Sequence, residues 1–299
     1  MAKLSEENEE KISAVCTFVK KKKQLSGISD ETIKNEMNRL LKREPNLEKN
    51  LSKANLSHFE KNFYFRKTVK AIRKTLHKTH GVFQIKGLSE RKLLLKELKE
   101  RKDKRDLKLH EKLLSTSLST KERNAFYPTI YKEIFSITSK PRSILDLGSG
   151  LNPISFPFMF LKSLQYVATE ISENEIAILN EYFELMKDEG LNGKAIPLDL
   201  KEKSALEEIG KISSVDLCLM LKLFDSTNLS KKKRYIWMEN MIKNLKSEWL
   251  VVSFPTKTLS QKAMKVKERR WFELMLRRIN LEFHKIEEST EVFYIIKMK

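Results

Sequence analysis

From residue 143 onward, short apolar runs alternate with amphipathic helical patterns, and few folds accept that texture. The stretches "SILDL" (143–147), "YVATEI" (166–171), "KAIPL" (194–198), "VDLCLML" (215–221) and "EWLVVSF" (248–254) each read as a strand. Runs this short and this continuously apolar suit strands that are covered on both faces. Helical patterns over 173–189, 231–246 and 260–279 separate most of them, and "LEFHKIEES" and "EVFYIIKMK" make two last strands. The alternation predicts an α/β domain built on a largely parallel, seven-stranded sheet.

The first 118 residues carry helical patterns only. Ile33, Met37, Leu40 and Leu41 form an apolar stripe after the cap candidates Ser29 and Asp30, and Pro45 ends it. Ser57 and Glu60 have the spacing of a capping box opening a helix that runs to His80, with Gly81 as its C′ residue. On that helix Phe65, Val69, Ile72 and Leu76 share one face, and Lys67, Lys70, Lys74 and Lys78 lie nearly opposite, with Arg73 nearby. No acid occurs between Lys61 and His80. A solvated helix usually mixes signs because opposite charges at i,i+4 stabilise it. A face of one sign points to phosphates. Residues 89–117 mix their signs and read as one long, solvent-exposed connecting helix, and Ser119 and Glu122 form another capping box.

Charge follows the same division. The chain's formal charge is +19, and residues 1–120 hold 30 Lys and Arg against 16 Asp and Glu, a net of +14. Residues 121–299 hold 29 against 24, a net of +5. This asymmetry predicts a basic helical domain over 1–115 with a nucleic-acid partner, ahead of the α/β domain over 116–299. Two cysteines, Cys16 and Cys218, are too few for a disulfide framework and suit a reducing cytoplasm. The five histidines have no metal-ligand spacing, so no metal is expected. No apolar run approaches the ~20 residues that span a bilayer, and the N-terminus lacks a signal-peptide core. A cytoplasmic protein with no membrane partner, monomeric by default, is the expectation.

The stretch "SILDLGSGLNPISFPF" (143–158) identifies the ligand class. A strand that ends in Gly148-Ser149-Gly150 and feeds a helix presents backbone N–H groups to a bound nucleotide. A dinucleotide fingerprint wants a third glycine at position 153, where this chain has Pro153. Instead Asp146 stands two residues before the first glycine, and Glu170 ends the next strand. That is the arrangement of S-adenosylmethionine methyltransferases, in which Glu170 accepts both ribose hydroxyls. Asp199 and Leu200, after the third strand, are placed at the adenine. The cofactor has no pyrophosphate, so loss of the third glycine is tolerated.

The segment after the fourth strand bears on the methyl acceptor. Methylases of exocyclic amines commonly have an Asn/Asp-Pro-Pro-aromatic turn there, whereas this chain has Met220-Leu-Lys222-Leu-Phe224. A pyrimidine C5 methylase needs a cysteine nucleophile, and Cys218 lies within an apolar strand. What remains is an acceptor that is already nucleophilic, such as guanine N7, which has an in-plane lone pair and no proton to lose. Lys222, at the sheet's edge, is placed to hold a substrate oxygen or phosphate.

Four stretches then carry a family resemblance. Ser119-Thr-Lys-Glu-Arg123, "SILDLGSGLNPISFPFM", "LMLKLF" and "VVSFPTKTL" resemble, in turn, the S-T-x-E-R, I-L-D-x-x-C-G-x-N-P-L, L-L-K and V-V-S-F-P-x-[KR]-S-L elements of the aminoglycoside-resistance-type 16S rRNA (guanine-N7) methyltransferases. The resemblance implies a Rossmann-like class I fold preceded by a helical domain that docks on the small ribosomal subunit, which makes the nucleic-acid partner of residues 1–115 RNA. It implies direct SN2 transfer of a methyl from S-adenosyl-L-methionine to a guanine N7 of 16S rRNA. By position, Arg123, Asp146, Gly148, Ser149, Gly150 and Glu170 would contact the cofactor. Lys222, Ser253, Phe254 and Pro255 would border the target base, and Lys257 the RNA backbone. The chain departs from the family at Ser117, at Ser149 and over Ser260-Gln-Lys-Ala-Met264. The residues themselves leave open another RNA, a protein acceptor, or a silent RNA-binding assembly factor.

Overall fold

The computed structural model describes residues 2–202, 204–212, 214–226, 231–258, 262–264 and 269–298. The chain packs as two compact units, Met1–Gln84 with Ile171–Asn174, and Ile85–Glu170 with Glu175–Lys299. No described helix is long and apolar enough to cross a membrane.

The first unit is built on helices α1 (Ala2–Lys20), α2 (Asp30–Arg43), α3 (Pro45–Ser52) and α4 (Phe63–Thr79). Val15, Val19, Ile33, Phe65, Ile72 and Leu76 are buried in its core. Helix α2 starts where the sequence placed it, with the Ser29 side chain accepting from the Thr32 N–H, and Pro45 opens α3. Helix α4 differs from expectation. Ser57 and Glu60 fall in a 3-10 segment, Leu56–Lys61, and the cap of α4 is Asn62, whose side chain accepts from the N–H groups of Tyr64 and Phe65. A cap that satisfies two orphan N–H groups at once displaces the weaker local pattern. Gly81 does not adopt the left-handed C′ conformation.

The second unit opens with α5 (Leu88–Glu100), α6 (Leu107–Leu114), α7 (Leu118–Arg123) and α8 (Tyr127–Thr138). The single connecting helix expected over 89–117 is therefore broken, and one face of each piece is buried. Asp106 caps α6 through the Leu109 N–H, and Leu95, Leu98, Leu109, Leu113 and Leu114 are buried in the core of this unit. Full burial of a leucine is worth ~1.5–3 kcal/mol, which outweighs a solvated role. Arg105, in the break, donates to the Leu161 carbonyl at 3.1 Å and to the Glu189 carboxylate at 3.2 Å. The capping box at Ser119 and Glu122 is also absent. The N-cap of α7 is Ser117, and the Glu122 carboxylate is engaged elsewhere.

Seven strands follow: β1 (Ser143–Leu147), β2 (Leu164–Glu170), β3 (Leu191–Pro197), β4 (Val215–Leu221), β5 (Ser247–Pro255), β6 (Phe283–Glu287) and β7 (Glu291–Lys297). They form one sheet in the order β3-β2-β1-β4-β5-β7-β6. The first five run parallel, and β7 is antiparallel to both β5 and β6. Side chains alternate between two cores. Leu217, Leu219 and Val251 fall in one, and Cys218, Met220, Leu250 and Val252 in the other. This period of two accounts for the continuous apolar runs. The helices between strands are α9 (Glu173–Met186), α10 (Ala205–Lys211), α11 (Leu223–Ser226), α12 (Lys231–Asn244) and α13 (Arg270–Arg278). Among the described residues, the helix expected over 260–279 is present only as α13, and residues 265–268 lie outside them. Lys262, Ala263 and Met264 are non-helical, and Ser260 and Gln261 lie outside the described residues.

Candidate active site

The C-terminal ends of β1, β2, β4 and β5 form one edge of the sheet, where open α/β folds bind ligands. Because β7 is antiparallel, its first residue, Glu291, arrives at that same edge, opposite Pro255.

The glycine turn after β1 is fixed by β2. The N–H of Gly148 donates to Thr169 Oγ1 at 3.1 Å, that of Ser149 to the Thr169 carbonyl at 3.0 Å, and that of Gly150 to Glu170 Oε2 at 3.0 Å. Three successive amides are thus turned toward β2, which corrects the expectation that they face the ligand. A pyrophosphate would find no N–H cradle in them. Both glycines are left-handed, with φ of 65° at Gly148 and 52° at Gly150. A Cβ at 148 would meet Leu223 Cδ1 at 2.7 Å, whereas a Cβ at 150 would stand in open space. Ser149 is buried, and Leu200 lies beside Gly148. Asp199 opens the turn after β3 by accepting from the Lys201 N–H.

Beneath the turn is a polar hub. Asp146 Oδ2 accepts from the Tyr166 hydroxyl at 2.7 Å and from Asn152 Nδ2 at 2.9 Å, while Asn152 Oδ1 accepts from the Tyr127 hydroxyl at 3.0 Å. Burial pushes the Asp146 carboxyl up to about 6, against the pull of Tyr166, Asn152 and Arg123. Asn152, followed by Pro153, has the residue type of a helix N-cap. Its side chain instead ties β1 to β2 and α8, and the 3-10 segment Asn152–Met159 begins without a side-chain cap.

At the far side of the edge, four charges are packed together. Arg123 Nε donates to Glu291 Oε2 and Nη2 to Oε1, both at 3.0 Å. Lys222 Nζ stands 3.2 Å from Glu291 Oε2 and 2.6 Å from Glu122 Oε2. The Ser253 hydroxyl donates to Glu291 Oε1. Burial works to raise the Glu291 carboxyl, but Arg123 and Lys222 hold it below the ordinary value. Lys222 has a left-handed backbone, φ 54°, and its N–H donates to Ser253 Oγ at 3.0 Å. Such a conformation in a non-glycine residue costs on the order of 1–3 kcal/mol and persists only where its surroundings impose it. The Phe254 ring is enclosed against Phe224, Trp271, Phe272 and Tyr294, while Pro255 and Lys257 are half-buried just beyond it.

Two residues here were not foreseen. Glu291 stands at the head of an apolar strand, and an acid in that setting is the one signal that marked it. Glu122 was read only as a cap. Cys218 is fully buried in β4, and burial raises its thiol well above the ordinary value, so it offers no thiolate.

In the first unit, Lys67, Lys70, Lys74 and Lys78 are all exposed along α4. Lys67 pairs with Glu44 at 2.6 Å. Arg73 lines a cleft with Lys70, Lys74 and Lys78, half-buried and donating to the Phe18 carbonyl.

The profile of the ribosomal RNA methyltransferase (FmrO) family matches residues 65–295. The chain belongs to that family. The methyltransferase is 29% identical over 220 residues to the 16S rRNA (guanine(1405)-N(7))-methyltransferase of Proteus mirabilis, covering 67% of this chain and 72% of that protein. The enzyme of the same name from Micromonospora echinospora is 28% identical over 236 residues, covering 77% and 82%. In fold, the methyltransferase is similar to the 16S rRNA methyltransferase RmtF, crystallised with S-adenosyl-L-homocysteine. Their TM-score is 0.72 at 22% identity, over 97% of this chain and 98% of that one. The cofactor of the methyltransferase is S-adenosyl-L-methionine. The open space at Gly150 and the Glu170 carboxylate beside it fit that cofactor, as does a turn with no phosphate cradle.

Proposed function

We propose that this methyltransferase transfers a methyl group from S-adenosyl-L-methionine to N7 of a guanine in 16S rRNA by direct displacement. One observation carries the reading. The cofactor turn and Lys222 share one sheet edge, and Leu223, which adjoins Lys222, packs on Gly148. The named activity of the relatives supports the choice of acceptor.

The cofactor supplies an electrophilic methyl group. Guanine N7 has a free lone pair and no proton, so the chain has only to bind, orient and exclude water. Glu170 accepts the ribose hydroxyls while its other oxygen holds the turn. Asp199 and Leu200 border the adenine. Asp146 and Ser149 support the turn on which the cofactor rests. Arg123 has five N–H donors; Glu291 and the Tyr127 hydroxyl engage some of them, and the others take the cofactor's carboxylate. Lys222 and Pro255 flank the target base, while Ser253 holds Glu291 and the enclosed Phe254 ring backs the segment from the core. The enclosed, high-pKa Cys218 agrees with a mechanism that has no covalent enzyme intermediate.

In the same reading, the RNA-gripping part expected over 1–115 is narrowed to the first unit, since residues 85–115 belong to the second, with the exposed lysines of α4 on phosphates and Lys257 on the RNA near the site. The enzyme acts as a cytoplasmic monomer on the small ribosomal subunit. Tritiated cofactor offered with 30S subunits, naked 16S rRNA, tRNA and protein should label 16S rRNA and yield 7-methylguanine on hydrolysis. Label confined to protein, or no transfer at all, would sink the reading.

A further inference from the structure

The charge cluster is graded from the interior outward. Side-chain exposure rises from 0% at Glu291 and 3% at Arg123 to 7% at Lys222 and 19% at Glu122. Glu291 accepts three hydrogen bonds from Arg123 and also reaches Lys222, so Arg123 is paired without Glu122, and Glu122 brings the cluster to neutrality at Lys222. The pair at the mouth is Lys222–Glu122, a donor and an acceptor 2.6 Å apart at the edge where the acceptor base must enter. Two of the three N–H donors of Lys222 point at Glu122 and Glu291. A carboxylate has about four lone-pair sites, so Glu122 can keep Lys222 and still accept from a ligand.

We propose that Lys222 and Glu122 read the acceptor as guanine, Lys222 donating to O6 and Glu122 accepting from N1–H. This assignment rests on the guanine-N7 reading above. O6 and N1–H are neighbouring groups on one base, an acceptor beside a donor, and the protein pair presents the complementary donor beside an acceptor. Gripping O6 and N1–H leaves N7, around the corner on the other edge, uncovered for the methyl group. Adenine inverts both groups. Its amino group would face the ammonium and its bare N1 would face the carboxylate, so both protein charges would lose their partners. Sites built on hydrogen bonds reject such analogues far more strongly than apolar pockets do. The left-handed backbone at Lys222 and its N–H bond to Ser253 fix the donor's position. Glu122 lies in α7 beside Arg123, so one helix serves both the base and the cofactor side.

The test uses 30S subunits reconstituted from 16S transcripts carrying guanine, inosine or adenine at the mapped target position. The wild type should methylate guanine and inosine alike, since the 2-amino group is not read, and should leave adenine untouched. Glu122→Ala should lower kcat/KM on guanine by about 10- to 100-fold, as expected for one lost base contact, and shrink the preference for guanine over adenine. Cofactor affinity by calorimetry should be unchanged. Glu122→Gln keeps the side-chain volume and guards against a folding failure; it should lose about tenfold on the same measure. An unchanged guanine-to-adenine ratio in both variants, or rejection of inosine by the wild type, would overturn the assignment alone. A wild type that labels no guanine in any transcript would sink the parent reading and this assignment with it.

Discussion

The hub beneath the glycine turn makes a quantitative demand on pH. Asp146 is wholly enclosed, and its carboxyl is pushed from 3.8 up to about 6, chiefly by burial. The folded state therefore holds this proton to higher pH than the unfolded chain does. Its contribution to stability is most favourable below pH 3.8, declines as pH rises to about 6, and is flat and unfavourable above that. A shift of about two units corresponds to ~3 kcal/mol of cost at neutral pH. Asp146→Asn removes the charge yet keeps an oxygen able to accept from Tyr166 and Asn152, both of which bond the same carboxylate oxygen. Urea denaturation of the two proteins between about pH 4 and pH 7.5 should show Asp146→Asn gaining ~2 kcal/mol on the wild type as pH rises. Taking the difference between the proteins cancels every other titrating group. Asp146→Ala should behave oppositely, because it orphans two buried donors at ~1–3 kcal/mol each, and should lose cofactor binding as the turn slackens. An Asp146→Asn protein whose advantage stays level or falls as pH rises would refute this account of the hub.

The two glycines should separate in the same kind of measurement. Gly148→Ala meets Leu223 as well as the strain of a positive φ and should abolish cofactor binding by calorimetry, whereas Gly150→Ala has room and should cost only ~1–2 kcal/mol of stability. Equal effects would mean that Leu223 simply moves aside. On α4, changing Lys67, Lys70, Lys74 and Lys78 together to Glu should abolish binding to 30S subunits and leave cofactor affinity intact. Loss of both would make the helix structural.

The strands were legible because buried runs of five to seven apolar residues have no other home in an α/β fold. The glycine turn and its acids were legible because motif chemistry is local. What was misread has a common cause. Residues 89–117 repeat leucine and lysine so regularly that the cap at Asp106 is hidden, and the apolar face resembles solvated surface. The Ser119–Glu122 spacing matched a capping box, but the partner of Glu122 is 100 residues away. Glu291 binds Arg123 across 168 residues, and no window of sequence spans such a pair. Asn152 looked like a cap because its neighbours fit one, while its partners Tyr127 and Tyr166 lie on other elements. Local pattern assigns elements well and assigns charged side chains poorly, because long-range partners outbid short-range ones in a buried setting.

The Arg123–Glu291 pair also sets the order in which the protein can mature. Its carboxylate sits on the last strand of the sheet, which lies between β5 and β6, so Arg123 gains its carboxylate partner only once that strand is in place. Contacts this distant along the chain form slowly. The glycine turn is held by β2 alone, whereas the charge cluster is completed only by the closing strand.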